Sequence, residues 1–305
     1  MPMVIAVVGP TASGKSELAV RLARELDGEV VNADSMQLYQ GMDIGTGKLT
    51  LAERGGVPHH LLGIWDVAQT ASVSVYQRLA HRVIAEVSGR GRTPILVGGS
   101  GLYVRSAIDD LEFPGTDPVV RERLEAELVR LGPGALHARL AAADPAAGVA
   151  ILPSNGRRIV RALEVMELTG RPFTATLPAY REVRPSAQIG LAVSRRVLDQ
   201  RIADRVQRMW RDGLVEEVER LAGAGLRSGR TASRALGYSH VLAMLDGQWS
   251  RSEAMTRMIS DTRRFARRQE SWFRRDPRVR WLPADLLVPT ELARSAIGER
   301  DLGAG

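Results

Sequence analysis

No cysteine occurs in this 305-residue chain. A disulfide framework, a thiolate zinc centre and a cysteine nucleophile are therefore excluded, which fits a reducing cytoplasm. Lysine is nearly absent as well, with Lys15 and Lys48 the only two. No apolar run of about 18 residues appears, so no membrane-spanning helix is expected. Met1-Pro2-Met3 passes straight into an apolar stretch without a basic flank or small-residue cleavage site, so no secretory leader is expected. What remains is ordinary globular material, 44% hydrophobic and 25% charged, long enough for one large or two modest domains.

Charge is unevenly placed. Residues 1–110 carry 10 Lys+Arg against 11 Asp+Glu, whereas 111–305 carry 32 against 24. A neutral first third and a basic remainder suggest a catalytic core joined to a surface for a large polyanion. An arginine-biased genome decorating a solvated surface gives the same count.

Val4–Val8 is a continuous apolar, largely β-branched run, the pattern of a strand buried on both faces. It leads into Gly9-Pro10-Thr11-Ala12-Ser13-Gly14-Lys15-Ser16, after which Leu18, Leu22 and Leu26 recur at helical spacing, with Gly28 read as the helix stop. Strand, glycine-bounded loop, Lys-Ser and helix make a P-loop. Loop N–H groups and the helix N-terminus converge on phosphate oxygens, and glycines let the backbone approach them. Lys15 adds a point charge, and the Ser16 hydroxyl is a candidate Mg²⁺ donor. Phosphate or pyrophosphate is indicated; the molecule carrying it is not.

A second strand over Glu29–Ala33 ends at Asp34, within Asn32-Ala33-Asp34-Ser35-Met36-Gln37. Ligands of open α/β sheets sit outside the carboxyl ends of strands, so Asp34 is expected near the loop. Organising Mg²⁺, removing a proton and capping a turn are all open to it. A third strand, Pro94–Val97, runs into Gly98-Gly99-Ser100-Gly101, where an ATPase would show a Mg²⁺-binding aspartate. That departure counts against a plain ATP-hydrolysing machine, and the glycines suit close passage of a bulky substrate. His59-His60 has no ligand partners at metal spacing and reads as loop-positioning or substrate-facing.

Residues 116–185 read as an inserted helical module. Asp117-Pro118 starts a helix that Pro133 is expected to end, and a second helix runs over about 155–169. Arg157, Arg158 and Arg161 fall within a 100° arc of that second helix, a phosphate-contacting edge or a solvated basic face. A strand over Ile189–Val193 returns to the sheet, followed by Arg195, Arg201 and Arg205, which either reach a phosphate or decorate a helix. Met255, Met258, Ile259, Thr262, Phe265, Ala266, Gln269 and Trp272 form the stripe of a long amphipathic helix, assigned to packing beneath an arginine-rich outer wall. Residues 1–115 and 186–290 are thus expected to form the P-loop core, with 291–305 a tail.

In combination these motifs resemble the tRNA dimethylallyltransferases, the bacterial tRNA isopentenyltransferases of the IPP transferase family. The resemblance runs from Val4 to about Trp281 through GPTASGKS (9–16), NADSMQLYQGMDIGT (32–46), PHHLL (58–62) and VGGSGLY (97–103). RRIVRALEVMELTGRP (157–172), GLVEEVERL (213–221), RALGY (234–238) and FARRQESWFR (265–274) extend it. Gly63 and Ser194 stand where the family usually has Asp, and Gly47 where alanine is common.

The resemblance implies an α/β fold, a P-loop NTPase-like parallel sheet flanked by helices with an all-helical tRNA-binding insertion. It implies transfer of a dimethylallyl group from dimethylallyl diphosphate to N6 of adenosine 37, beside the tRNA anticodon. Gly9, Pro10, Thr11, Ala12, Ser13, Gly14, Lys15 and Ser16 would hold the diphosphate with Mg²⁺ at Ser16, and Asp34 would accept the N6 proton, aided by Thr11, Lys15 and Ser16. Asp34, Ser35, Met36 and Gln37 would meet the target adenosine, with Ser100 at the entrance for the flipped base. Arg123, Arg157, Arg158, Ile159, Val160 and Arg161 would hold the anticodon stem-loop. A cytoplasmic monomer without an obligate protein partner is the corresponding expectation. Two rivals share the core: a P-loop small-molecule kinase, and an isopentenyltransferase acting on free adenine nucleotides.

Overall fold

Six strands form one parallel sheet in the computed structural model, which describes residues 3–173 and 179–284. They are β1 (Val4–Val8), β2 (Gly28–Asn32), β3 (His59–His60), β4 (Thr93–Gly98), β5 (Ser186–Ala192) and β6 (Val279–Pro283), in the spatial order β3-β2-β4-β1-β5-β6. β1 lies between β4 and β5, so both of its edges are paired, and both of its faces are covered, which its unbroken apolar run requires. Val4, Ala6 and Val8 pack on one side with Tyr76, Ala80, Ile84 and Val104. Ile5 and Val7 alternate to the other side with Leu18 and Leu22. Leu22 is fully buried there, so Leu22→Ala is a cavity-forming change of about 2–5 kcal/mol.

The helices follow in chain order: α1 (Lys15–Glu25), α2 (Leu51–Arg54), α3 (Val73–Gly89) and α4 (Gly101–Ile108), then α5 (Pro118–Ala143), α6 (Pro145–Ala150) and α7 (Gly156–Thr169). After β5 come α8 (Arg195–Arg211), α9 (Leu214–Gly223), α10 (Tyr238–Leu245) and α11 (Arg251–Phe273). Among the described residues no helix is long and apolar enough to cross a membrane.

The chain divides into two compact units, Met1–Asp110 with Glu182–Gly305, and Leu111–Arg181. The first holds the sheet and a helical layer in which Val206, Met209, Trp210, Val218, Tyr238 and Met258 share a core. The second holds α5, α6 and α7 around Leu124, Leu136, Leu140, Ile159 and Leu163. It begins at Leu111, not at 116, because Arg161 donates to the carbonyls of Pro114 and Gly115 and ties that approach segment into the insertion. The expected tail over 291–305 lies outside the described residues.

Several local expectations need correction. Gly28 does not stop α1, which ends at Glu25; it opens β2, where a Cβ would stand 2.7 Å from the Thr93 carbonyl oxygen. Pro133 does not end the insertion's first helix. Gly132, at φ 78°, makes the break, and Pro133 opens a further helical segment that runs to Ala143. The two-residue β3 and the outermost β6 carried too little alternating pattern to be anticipated.

Candidate active site

The P-loop joins β1 to α1 through three left-handed residues, Gly9 (φ 133°), Ala12 (φ 63°) and Gly14 (φ 95°). Ala12 accepts a conformation that ordinarily favours glycine, a strain of the kind that clusters at ligand-binding loops. Lys15 Nζ donates to the Pro10 carbonyl at 2.6 Å, folding the ammonium back over its own loop. Burial draws that ammonium down to about 8, with Asp34 opposing the fall and Arg205 adding to it. The Ser13 hydroxyl is buried with no hydrogen-bond partner among the described residues.

Asp34 follows β2 directly, in a turn of its own making. Its Oδ1 accepts the Met36 N–H at 3.0 Å, and its own N–H donates to Asn32 Oδ1 at 2.9 Å. Oδ2 accepts no hydrogen bond among the described residues. The turn-capping role left open by the sequence is therefore real, but it occupies one oxygen only. Ser100 Oγ accepts the Ser35 N–H and lies 3.2 Å from Ser35 Oγ, joining the ends of β2 and β4.

These residues line one cavity of about 590 Å³, bounded by Thr11, Asp34, Ser35, Met36 and Ser100. Its far wall comes from α8 and α11, through Ile202, Arg205, Val206 and Met209, and through Met258, Thr262, Phe265, Arg268, Gln269 and Trp272. Gly9, Pro10, Ala12, Ser13, Gly14, Lys15 and Ser16 lie outside that lining, and Ala12, Ser13 and Gly14 border a second hollow with Arg21, Arg201 and Arg208. Gln37 is turned aside, its amide donating to the Thr46 and Gly47 carbonyls at 3.3 and 3.4 Å.

Sequence reasoning gave the stripe on α11 to packing alone. Gln269 corrects that reading: it is buried, accepts the Thr11 N–H at 2.8 Å and donates to the Gly99 carbonyl at 2.9 Å. It thus bridges the P-loop to the β4–α4 turn. The glycines of that turn are explained by protein neighbours as much as by substrate. A Cβ would lie 2.3 Å from the Ala33 carbonyl oxygen at Gly98, 2.2 Å from Gln269 Nε2 at Gly99 and 2.0 Å from Trp272 Nε1 at Gly101. Of the arginines on α8, Arg205 is drawn into the cavity, donating to the Thr46 carbonyl at 2.9 Å and coupled electrostatically to Asp34. Burial lowers its guanidinium from its ordinary value, and the Asp34 charge works against that.

The histidine pair belongs to the sheet edge. His60 Nε2 lies 2.6 Å from Glu29 Oε2, and His59 Nδ1 is 2.8 Å from the Val57 carbonyl. Among the described residues no group of three or more His, Asp and Glu side chains is placed to hold a metal ion.

In the insertion, Arg157 is exposed on α7, while Arg161 is committed to Glu164 and to the two carbonyls already named. Ile159 and Val160 are buried in the insertion's core, so their side chains offer nothing to a polyanion. Arg123 is held by Glu127 and by both oxygens of Glu167. Arg158 is exposed.

The family model described as IPP transferase matches residues 37–276. A tRNA dimethylallyltransferase of Streptomyces avermitilis is 67% identical over 296 residues, covering 97% of this chain and 95% of the relative. One from Thermobifida fusca is 64% identical over 290 residues, covering 93% and 91%. Among solved structures, a full-length tRNA isopentenylpyrophosphate transferase from Bacillus halodurans superposes with a TM-score of 0.73 at 40% identity, covering 100% of this chain and 98% of that one. A eukaryotic dimethylallyltransferase described as acting on tRNA superposes at 0.82 with 25% identity, covering 100% and 80%.

Proposed function

The chain belongs to the IPP transferase family, and from that premise we propose that it transfers a dimethylallyl group from dimethylallyl diphosphate to N6 of adenosine 37 in tRNA, releasing diphosphate. The observation that carries this reading is the cavity in which Asp34, with Oδ2 unpartnered among the described residues, meets Thr11 of the P-loop.

The exocyclic nitrogen of adenine is a poor nucleophile because its lone pair is delocalised into the ring. As it attacks the allylic carbon, the C–N bond forms, the carbon–oxygen bond to diphosphate breaks, and the N6 proton passes to Asp34 Oδ2. Negative charge grows on the departing diphosphate, where loop N–H groups, Lys15 and Arg205 stabilise it. Lys15 Nζ first has to leave the Pro10 carbonyl. The Ser16 hydroxyl, at the start of α1, is a hard oxygen donor of the kind Mg²⁺ takes alongside phosphate and water. When bound, that ion neutralises diphosphate charge. The adenine has to leave its stack to enter a cavity of this kind, which is least costly in a single-stranded loop. Exposed Arg157 and Arg158 supply sequence-independent attraction to the tRNA backbone in the cytoplasm.

Incubation with dimethylallyl diphosphate, Mg²⁺ and unmodified tRNA, followed by mass spectrometry of the nucleosides, tests this. A five-carbon addition to one adenosine is expected. Equal prenylation of free adenine nucleotides, or γ-phosphate transfer from ATP in its place, would overturn it.

A further inference from the structure

Gly45 and Thr46 form part of the cavity wall, and the loop that carries them is held from beneath by one buried acid. Glu217, in the first turn of α9, is 3% exposed and, among the described residues, makes no ion pair. Its partners are all donors from the loop and from α10. Oε2 accepts the N–H groups of Asp43 at 3.0 Å and Ile44 at 2.8 Å, while Oε1 accepts the Gly45 N–H at 3.1 Å and the Tyr238 hydroxyl. Three successive N–H groups converging on an anion make a nest, the arrangement that elsewhere grips phosphate. Here the anion is a side chain.

The loop transmits that grip to the chemistry. One residue beyond the nest, the Thr46 carbonyl accepts Arg205, whose charge acts on both Asp34 and Lys15. Two glycines make the fit possible: a Cβ at Gly45 would stand 2.5 Å from the Tyr238 ring, and one at Gly47 would stand 2.1 Å from Arg205 Nη2.

We propose that Glu217 is a positioning residue for prenyl transfer: by anchoring the 43–45 backbone it sets the Thr46 carbonyl, which aims Arg205 between Asp34 and the P-loop lysine. The inference rests on the prenyl-transfer reading for its assay, but its test includes a binding arm that does not. Glu217→Gln keeps the shape and turns an amide N–H₂ toward loop donors, so the loop must shift.

The experiment is a double-mutant cycle of Glu217→Gln with Arg205→Gln, read by tRNA prenylation and by calorimetric binding of inorganic diphosphate. With wild-type Arg205, Glu217→Gln is expected to lower kcat about 100-fold, the scale of a misplacement near 1 Å, with KM for tRNA within about twofold. It is also expected to weaken diphosphate about tenfold. In the Arg205→Gln background it is expected to do neither, since the group it aims is gone. Tyr238→Phe removes one of the four donors and serves if Glu217→Gln does not fold; a drop of about fivefold with the same non-additivity is expected. Equal losses in both backgrounds, or a lowered melting temperature with unchanged turnover per folded molecule, would overturn the proposal. Wild-type protein that binds diphosphate but fails to prenylate tRNA would overturn the functional reading alone, and the binding cycle would still decide the role of Glu217.

Discussion

Two arginine-rich helices, α8 in the sheet-containing unit and α7 in the insertion, each turn one guanidinium inward, and the two are used in opposite ways. Arg161 on α7 meets Glu164, a carboxylate already filled by the Thr116 hydroxyl, the Asp117 N–H and Arg121. Arg205 on α8 is held by a backbone carbonyl, and the carboxylate it senses, Asp34, keeps one oxygen unpartnered among the described residues. A closed Arg–Glu cluster is a building element. An open Arg–Asp pair on a cavity is a site. Helical spacing places Arg157, Arg158 and Arg161 on one face, but it does not reveal which of them the fold has already claimed.

The sharpest way to break this comparison is to close the open pair. Asp34→Asn removes the proposed proton acceptor while retaining Oδ1 for the Met36 N–H, so the turn survives. Single-turnover prenylation is expected to fall about 10²- to 10⁴-fold, with tRNA affinity within about twofold of wild type. A variant that prenylates at near wild-type rate would place the base elsewhere.

Opening the closed cluster should act on stability and not on chemistry. Burial by itself would raise the Glu164 carboxyl, but the bonds from Arg121, Thr116 and Arg161 bring it down to about 2. Its stabilising contribution is therefore complete above the unfolded-state value of 4.5 and is lost as pH falls from there toward 2. Glu164→Gln leaves two guanidiniums short of their partner and is expected to cost about 3 kcal/mol in urea unfolding at pH 7. The cost should be less than half as large at pH 3 and shrink toward zero only as pH falls through about 2. Arg157→Ala is the control on the same helix: no change in melting, and a decrease of about one in the slope of log K for tRNA against log salt.

Lys15, coupled electrostatically to Asp34 and Arg205, titrates in an accessible range. Because its ammonium sits at about 8, the loop carries that charge below pH 8 and loses it above. Affinity for inorganic diphosphate is expected to drop about tenfold between pH 7 and 9 relative to Lys15→Arg, whose charge does not titrate. Parallel profiles for the two proteins would show that the ammonium is not the phosphate ligand.

How much of this was legible in advance follows from how each feature is encoded. The P-loop is contiguous, and its chemistry demands Gly, Lys and Ser at fixed offsets, so Gly9–Ser16 declared itself. Asp34 was legible as a strand-end carboxylate, but its two roles separate only when Oδ1 and Oδ2 are seen apart. Gln269 lies 258 residues from the N–H it accepts, and no local pattern announces such a bond. Glu217 left a fainter trace: it is a charge on the same helical face as Leu214, Val218 and Leu221, which are buried, and an acid inside an apolar stripe calls for hidden donors. The close-approach glycines 98, 99 and 101 were recognised as such, but what approaches them includes Gln269 and Trp272, which sequence cannot place.

The smallest expected effect concerns how the two helices begin. Asn155 caps α7, its side chain accepting the Arg158 N–H at 3.3 Å, whereas Ser194 precedes α8 without a side-chain cap bond. Ser194 has the extended backbone (φ −59°, ψ 142°) that an N-cap needs, and α8 carries no acid in its first turn. Ser194→Asp should accept a first-turn N–H and place negative charge at the positive end of the helix, adding about 0.5–1 kcal/mol. For a unit of this size that is a rise of about 1–3 °C in melting temperature. Because α8 also carries Arg205, the substitution separates two roles of one helix: firming its start should raise stability while leaving kcat unchanged. A change in kcat as large as that of the Glu217 variant would mean that Arg205 is aimed by the helix rather than by the loop that holds it.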